Sequence, residues 1–211
     1  PGVNLELFRP MNKIESKKSL GLYGNNVILY VGRIDPIKGL YTLLDSVFNL
    51  NDSYNIKLII VGGELNKSQD LINLQNYTAE KNKSHMVDFV GIVDQSNLPL
   101  YYNAADLFLL TSYYESFGLS VLEALSCGTP AIVSNKGALP EVVSHRKTGF
   151  VLPINQGPEP WISAMISLSD DAALYKSYGE AAESRIKDMF TWERAGTETE
   201  AVYQQVVDQY H

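Results

Sequence analysis

Short apolar runs alternate with longer amphipathic stretches along the chain, and this alternation constrains the fold more than any other feature. The run at residues 27–31 is rich in β-branched and aromatic side chains and stops at Gly32, as expected of a strand covered on both faces. Further strands are predicted at residues 58–61, 87–90, 107–110, 131–133 and 149–152. Helices are predicted at residues 40–47, 68–81, 96–103, 119–126 and from 159 onward, with a break near 190–191.

Strands that alternate with helices predict an α/β fold, a doubly wound parallel sheet of about six strands with helices on both faces. Residues 1–24 show weak periodicity and are expected to form a linker and an edge element. The main domain is predicted at residues 25–190, followed by a C-terminal helix at residues 191–211. Ligands of such sheets bind at the carboxyl ends of the strands, so functional residues are sought in the loops there.

Charge and cysteine content narrow the classes of partner. Lys and Arg number 17 and Asp and Glu number 24, which gives a net charge of −7 and disfavours binding to nucleic acid. No apolar run reaches the ~20 residues of a transmembrane helix. Cys127 is the single cysteine, which excludes an intramolecular disulfide and fits a reducing compartment. Because the chain begins at Pro1, we expect it to be a processed product or a piece of a longer protein.

The loop after the first predicted strand carries two cations at a strand end. It contains neither a Walker sequence nor G-x-G-x-x-G, yet it brings Arg33 and Lys38 next to a predicted helix start. Free backbone N–H groups at a helix N-terminus attract anions, and two cations would strengthen such a site. Solvent-exposed surface cations are the alternative explanation, and the residues alone leave both open.

A second group of candidates follows the fourth predicted strand. Glu115 is expected in a loop and Glu123 in the second turn of the next helix, too far apart to form a close carboxylate pair. Gly118 would let the backbone approach a ligand closely, which leaves the N–H groups of Phe117, Gly118 and Leu119 free to hold a phosphate. The alternatives are that Glu123 lies on an exposed helix face and that Glu115 only complements the helix dipole.

Carboxylates repel phosphate, but they accept hydrogen bonds from neutral sugar hydroxyls. A phosphate cradle next to such acceptors indicates a nucleotide-sugar. The remaining candidates are weaker: the three histidines are scattered without metal-ligand spacing, and Cys127 is more typical of a small core residue than of a nucleophile. No D-x-D motif occurs that would suggest a metal-chelated diphosphate.

Several motifs follow one another in order: P-G-V-N at 1–4, V-G-R at 31–33 with Lys38-Gly39, A-A-D at 104–106, E-x7-E from Glu115 to Glu123, L-P-E at 139–141 and T-G-F at 148–150. In this series the chain resembles the C-terminal, donor-binding domain of retaining glycosyltransferases of family 4, the glycosyl transferases group 1. The resemblance covers nearly the whole chain. It implies a Rossmann-like domain that is one half of a GT-B fold.

The resemblance also implies roles for individual residues. Arg33 and Lys38 would hold the donor diphosphate, and Glu115 would lie against the transferred sugar, so that these three form the catalytic group. Glu123 would accept hydrogen bonds from the ribose. The other donor-binding residues implied are Gly32, Val93 near the base, Ser116, Phe117, Gly118 and Leu119. The donor would be a UDP-, GDP- or ADP-sugar, with no metal and no tightly bound cofactor.

The implied reaction transfers a sugar to a hydroxyl acceptor with retention of configuration. The acceptor, a sugar, sugar phosphate, glycan or lipid-linked group, would be bound by an N-terminal domain to which residues 191–211 cross, so this chain alone should be inactive. A cytoplasmic location is expected, with peripheral membrane association through the N-terminal domain as an alternative. A sugar-nucleotide epimerase, a phosphorylase-like enzyme and a non-catalytic binding module remain as other readings, and the oligomeric state is open.

Overall fold

The computed structural model describes residues 2–65 and 67–209, and six parallel strands form one sheet within these ranges. The strands are β1 (Asn26–Val31), β2 (Ile56–Val61), β3 (Val87–Gly91), β4 (Leu107–Leu110), β5 (Ala131–Ser134) and β6 (Gly149–Leu152). They lie in the order β3-β2-β1-β4-β5-β6. The predicted α/β fold class is confirmed, and each strand lies within two residues of its predicted bounds.

The helices in the same ranges are α1 (Lys13–Ser19), α2 (Leu40–Phe48), α3 (Gln69–Glu80), α4 (Leu98–Ala104), α5 (Leu119–Ser126), α6 (Leu139–Val142), α7 (Glu159–Asp170), α8 (Ala172–Met189) and α9 (Trp192–Gln209). The sequence patterns do not predict α1 and α6. They also miss a second break in the C-terminal region, at Asp171. Its side chain caps α8 by accepting hydrogen bonds from the N–H groups of Ala173 and Leu174 at 3.0 and 2.9 Å.

The central strands are buried on both faces, which makes them a rigid base for the loops at their ends. Every residue of β1 after Asn26 is buried, and so are all four residues of β4. On α2 the buried apolar residues have the predicted helical spacing, at Leu40, Leu43, Leu44 and Val47. Burial of each such side chain contributes roughly 1.5–3 kcal/mol of hydrophobic stabilisation.

The N-terminal segment, predicted as a linker and an edge element, contains a helix. Its described residues, 2–24, contribute no strand to the sheet; instead α1 packs against α4, and Val3 forms an isolated bridge just ahead of α9. α1 has no apolar stripe, and two of its lysines hold it in place instead. Lys13 and Lys17 make ion pairs with Asp106 at 3.3 and 2.5 Å, which anchors the segment to the main domain.

The strand order reverses direction between β1 and β4, which lie side by side at the centre of the sheet. Crossovers leave β1 and β4 toward opposite sides, so a crevice opens at their carboxyl ends. The loops that follow β1 and β4 border this crevice.

The last helix differs from all the others. α9 has no buried residue, and it exposes Trp192, Val202, Tyr203, Val206 and Val207. Among the described helices we find none with the length and apolar character required to cross a bilayer.

Candidate functional site

The loops after β1 and β4 are joined to each other by hydrogen bonds. The Thr111 hydroxyl donates to the carbonyl groups of Lys38 and Gly39 at 3.1 and 2.9 Å, and the N–H of Tyr113 donates to the carbonyl of Ile37 at 2.8 Å. Candidate residues from two distant parts of the sequence are therefore brought to one side of the crevice.

Lys38 and Glu115 form an ion pair in this position. The Lys38 Nζ lies 2.7 Å from the Glu115 Oε2, and the two side chains are only 12% and 13% exposed. Lys38 closes a short 3-10 turn that Asp35 caps by accepting from the N–H of Ile37 at 2.9 Å. The charges of Lys38 and Glu115 therefore offset each other.

Unlike Lys38, Arg33 has no close ion-pair partner among the described residues. Its side chain is 78% exposed and lies 3.9 Å from the Asp35 carboxylate, a separation that gives weak interaction in water. Its backbone is fixed, because the buried Tyr30 hydroxyl donates to the Arg33 carbonyl at 2.7 Å. Burial raises the pKa of Tyr30, so this hydroxyl remains a donor at neutral pH. The arrangement presents an exposed guanidinium on a loop whose backbone is held by a hydrogen bond.

The N-terminus of α5 presents unused donors. Gly118 precedes the helix with φ +90°, and a Cβ there would come within 2.7 Å of the Leu139 side chain. Within the described residues, the N–H groups of Phe117, Gly118, Leu119 and Ser120 donate no hydrogen bond. Such groups, together with the helix dipole, suit an anion.

Gly137 brings a second loop against Glu115. Its φ is +55°, and a Cβ there would lie 1.6 Å from the Glu115 carbonyl oxygen, so only glycine fits. The segment just ahead of α6 thus packs directly on the backbone that carries the candidate carboxylate.

Glu123 lies in the second turn of α5, as predicted, but not on an exposed face. It is half-buried, and its Oε2 accepts a hydrogen bond from the Tyr102 hydroxyl at 2.6 Å. Burial raises the pKa of Glu123, and the hydrogen bond from Tyr102 partly opposes that rise. Sequence reasoning missed Tyr102 as a functional candidate, because its partner is 21 residues away and only the packing of α4 on α5 joins them.

A cavity of about 540 Å³ opens beside these loops, at the ends of β1, β2 and β3. Its lining includes Gly32, Arg33 and Val93 among the predicted site residues. That lining does not include the other candidates, which are Lys38, Glu115, residues 116–119 and Glu123. The candidates therefore divide into three around the cavity and a group next to it at the β1–β4 switch. No cluster of His, Cys, Asp and Glu side chains suited to a metal ion occurs in the described residues.

A family profile and several known sequences match this chain, and all are described as glycosyltransferases. A family profile described as glycosyl transferases group 1 matches residues 12–185. The chain is 35% identical over 216 residues to a D-inositol 3-phosphate glycosyltransferase of Streptomyces avermitilis, covering 96% of this chain and 45% of that protein. A relative of the same name from Jonesia denitrificans is 32% identical, with 97% and 50% covered. The chain thus spans about half the length of these relatives.

Solved structures agree with the sequence relatives. A sucrose-phosphate synthase from Thermosynechococcus elongatus superposes with a TM-score of 0.88 at 32% identity, over 99% of this chain and 52% of that one. Anabaena HepE, solved in complex with UDP-glucose, has the same fold, with a TM-score of 0.86 at 22% identity over 97% and 56% of the two chains. Together with the site geometry, these matches show that the chain belongs to the glycosyl transferases group 1 family and has the fold of a GT-B half.

Proposed function

We propose that this chain is the donor-binding half of a retaining, family 4 glycosyltransferase that takes a nucleoside diphosphate sugar. One observation carries the proposal: an exposed arginine follows β1 and a row of undonated backbone N–H groups follows β4, the two neighbouring strands at which the strand order reverses. Arg33 supplies the cation and the start of α5 supplies the N–H groups. A diphosphate is the common ligand for such a combination.

The assignment of donor groups follows from the two parts of the site. The nucleoside occupies the cavity of about 540 Å³, which Gly32 and Val93 line, with the base near Val93. Glu123 accepts hydrogen bonds from the ribose. The diphosphate lies along Arg33 and Lys38, and the segment Ser116, Phe117, Gly118 and Leu119 contacts phosphate or sugar through its N–H groups. Glu115, which already accepts a hydrogen bond from Lys38, faces the hydroxyls of the transferred sugar.

These residues would act mainly on the leaving group. As the bond from the anomeric carbon to the diphosphate breaks, both electrons go to the diphosphate, and its negative charge grows. The acceptor oxygen bonds to the anomeric carbon, and its proton passes to the oxygen of the departing diphosphate. The α5 N–H groups are fixed by the fold and Arg33 adds a cation, so both stabilise the growing charge of the transition state more than the ground state. Lys38 is partly offset by Glu115 and contributes less net charge.

A second domain completes the proposed enzyme. The chain spans about half of its relatives, and α9 exposes an apolar side that a partner domain would cover. We propose that α9 crosses onto an N-terminal half that binds the hydroxyl acceptor, and that the enzyme works in the cytoplasm. The 211-residue chain should then bind donor but give negligible sugar transfer by itself. Efficient turnover by this chain alone contradicts the proposal.

The test is nucleotide binding by thermal shift and calorimetry, with UDP, GDP and ADP on the unaltered chain and on Arg33→Ala. Loss of one charge-assisted contact should weaken binding of the preferred nucleotide about 10- to 100-fold. Lys176→Ala is the matched control, since Lys176 is 77% exposed and lies 3.8 Å from a carboxylate on α8, away from the crevice. If no nucleotide binds, or if Arg33→Ala binds like Lys176→Ala, a non-catalytic module is the better description.

A further inference from the structure

The carboxylate of Glu123 has one oxygen committed to the protein. The Tyr102 hydroxyl donates to its Oε2 at 2.6 Å, and no other protein group donates to either oxygen within the described residues. The remaining Oε1 is therefore available to a ligand. The hydrogen bond to Oε2 limits the orientations of the carboxylate, so less side-chain entropy is lost when Oε1 accepts from a ligand.

Tyr102 is well suited to hold that carboxylate still. Its side chain is fully buried, and its ring contacts Phe8 at 5.8 Å edge to face and Phe108 at 5.9 Å between centroids. Its carbonyl accepts a hydrogen bond from the Thr129 hydroxyl at 2.8 Å. Ring and backbone are thus fixed independently of Glu123.

A buried tyrosine is also a costly way to fill this space. A phenylalanine would pack equally well against Phe8 and Phe108 without burying a hydroxyl, and a half-buried carboxylate is itself unfavourable unless paired. The Tyr102 hydroxyl makes its one side-chain hydrogen bond to Glu123. The pair is consistent with a requirement on the carboxylate rather than with packing alone.

We propose that Tyr102 is a positioning residue for ribose recognition: it orients Glu123 so that Oε1 accepts a hydrogen bond from a ribose hydroxyl of the donor. The inference rests on the proposed function, in which Glu123 contacts the ribose. Phe8, from the N-terminal segment, supports the Tyr102 ring, so the segment that precedes the main domain contributes indirectly to donor binding.

The experiment compares the preferred ribonucleoside diphosphate with its 2′-deoxy and 3′-deoxy analogues by calorimetry on the intact chain. The variants are Tyr102→Phe, Glu123→Ala and the double variant. Tyr178→Phe is the control, because it removes the hydroxyl of another buried tyrosine, on α8. Tyr102→Phe should weaken the ribonucleotide about 5- to 10-fold and leave the analogue that lacks the contacted hydroxyl unchanged. In the Glu123→Ala background, Tyr102→Phe should have no further effect on affinity.

The outcomes separate this inference from the proposed function. If Glu123→Ala abolishes the preference for ribose but Tyr102→Phe retains it, the positioning role is wrong while the ribose contact stands. If Glu123→Ala also retains the preference, the ribose contact is wrong and the inference falls with it. Equal losses for ribose and deoxyribose ligands in Tyr102→Phe would indicate a purely structural tyrosine and overturn the proposal.

The pH dependence of ribonucleotide affinity provides a second readout. The titratable groups that face Glu123 are Tyr102 on α4 and the Cys127 thiol after α5; the pKa of Tyr102 is raised well above 10, and burial raises the pKa of Cys127 to about 12. Glu123 is therefore the group of these three that titrates in acid. Because the Tyr102 hydrogen bond lowers the pKa of Glu123, Tyr102→Phe should move the acid loss of affinity to higher pH. An unchanged profile would count against the inference.

Discussion

The amino ends of the parallel strands form one edge of the sheet, the amino edge, and their carboxyl ends form the other, the carboxyl edge. Both edges carry clustered charges, but the charges have different partners. At the amino edge, Asp106 accepts hydrogen bonds from Lys13, Lys17 and the N–H of Val27, and Lys13 also donates to the Tyr175 hydroxyl at 2.5 Å. At the carboxyl edge, Arg33 is exposed and the N–H groups at the start of α5 donate to nothing in the described residues. The protein itself supplies hydrogen-bond partners for the charges at the amino edge, which we call saturated, and leaves groups at the carboxyl edge without such partners.

Saturation separates structural charges from candidate ligand-binding charges. The N–H groups at the start of α5 have no acceptor among the described residues and the Arg33 guanidinium is exposed, so both can bind a ligand without breaking a protein contact. Burial lowers the pKa of Lys13, and the ion pair with Asp106 opposes part of that fall, so the protein itself supplies the partner of this charge. Lys38 is an intermediate case, because it lies at the carboxyl edge but already has Glu115 as a partner.

The Lys38 ion pair gives the largest expected effect, since it belongs to both classes. Lys38→Met should reduce stability by about 3 kcal/mol, because it leaves the largely buried Glu115 carboxylate without a partner, and should lower Tm by roughly 6–12 °C. It should also weaken nucleotide binding about 10-fold through loss of a cation. Urea denaturation and calorimetry measure the two effects.

A double variant separates the two effects. Adding Glu115→Gln to Lys38→Met removes the unpaired charge, so Tm should recover by at least half while nucleotide affinity stays low. Recovery of affinity together with Tm would mean that Lys38 acts only through folding, and would move it to the structural class.

A substitution at the amino edge should lower stability without changing nucleotide affinity. Asp106→Ala removes the shared acceptor of Lys13 and Lys17, and we expect a loss of about 2 kcal/mol and a Tm lower by roughly 4–8 °C. Nucleotide affinity at a temperature well below Tm should not change. A loss of affinity comparable to that of Arg33→Ala would show that the two edges are coupled and that saturation is a poor criterion.

Arg33→Ala should lower nucleotide affinity and leave stability unchanged, the reverse of Asp106→Ala. Its weak contact with Asp35 at 3.9 Å implies a change in unfolding free energy within about 0.5 kcal/mol. Its affinity loss, described above, should therefore occur without a change in the urea midpoint. A destabilisation as large as that of Asp106→Ala would contradict the assignment of Arg33 to ligand binding.

The sequence predicts the sheet well because its signal is local. Strands that are buried on both faces are continuous apolar runs, and glycines end several of them, so β4 and β6 have the predicted bounds. α1 carries no such signal: its one buried residue is Ser16, and Asp106, about ninety residues away, anchors Lys13 and Lys17. An element held by distant charges leaves no periodic pattern.

For the site, the sequence proposes a set of residues but not the contacts between them. Position after a predicted strand makes Arg33, Lys38 and Glu115 candidates, Glu123 follows in the next helix, and only the resemblance to a family implies a role for each of them. Their pairing depends on which loops the sheet order brings together, so neither the Lys38–Glu115 ion pair nor the Tyr102–Glu123 hydrogen bond can be read from spacing. These pairings separate the exposed guanidinium from the two carboxylates that the protein already engages.

The smallest expected effect concerns Glu123, which tests whether the carboxyl edge sacrifices stability for binding. Burial raises the pKa of Glu123 in the folded protein above its usual value of 4.5. The folded state therefore holds this proton more tightly than the unfolded state, so the contribution of Glu123 to stability is full below the unfolded pKa and is lost as pH rises through the folded pKa. At pH 7 the ionised carboxylate is a net cost to folding.

Glu123→Gln should consequently raise Tm slightly at pH 7, by a few °C at most, while ribonucleotide affinity falls. The glutamine carbonyl can still accept from the Tyr102 hydroxyl, so packing is retained. The gain in Tm should shrink as pH is lowered through the folded pKa and vanish below about 4, where both proteins carry a neutral side chain. Glu180→Gln, at an exposed position on α8, should show no such dependence. A lower Tm at pH 7 would mean that the carboxylate stabilises the fold, and that this part of the carboxyl edge resembles the saturated cluster at the amino edge.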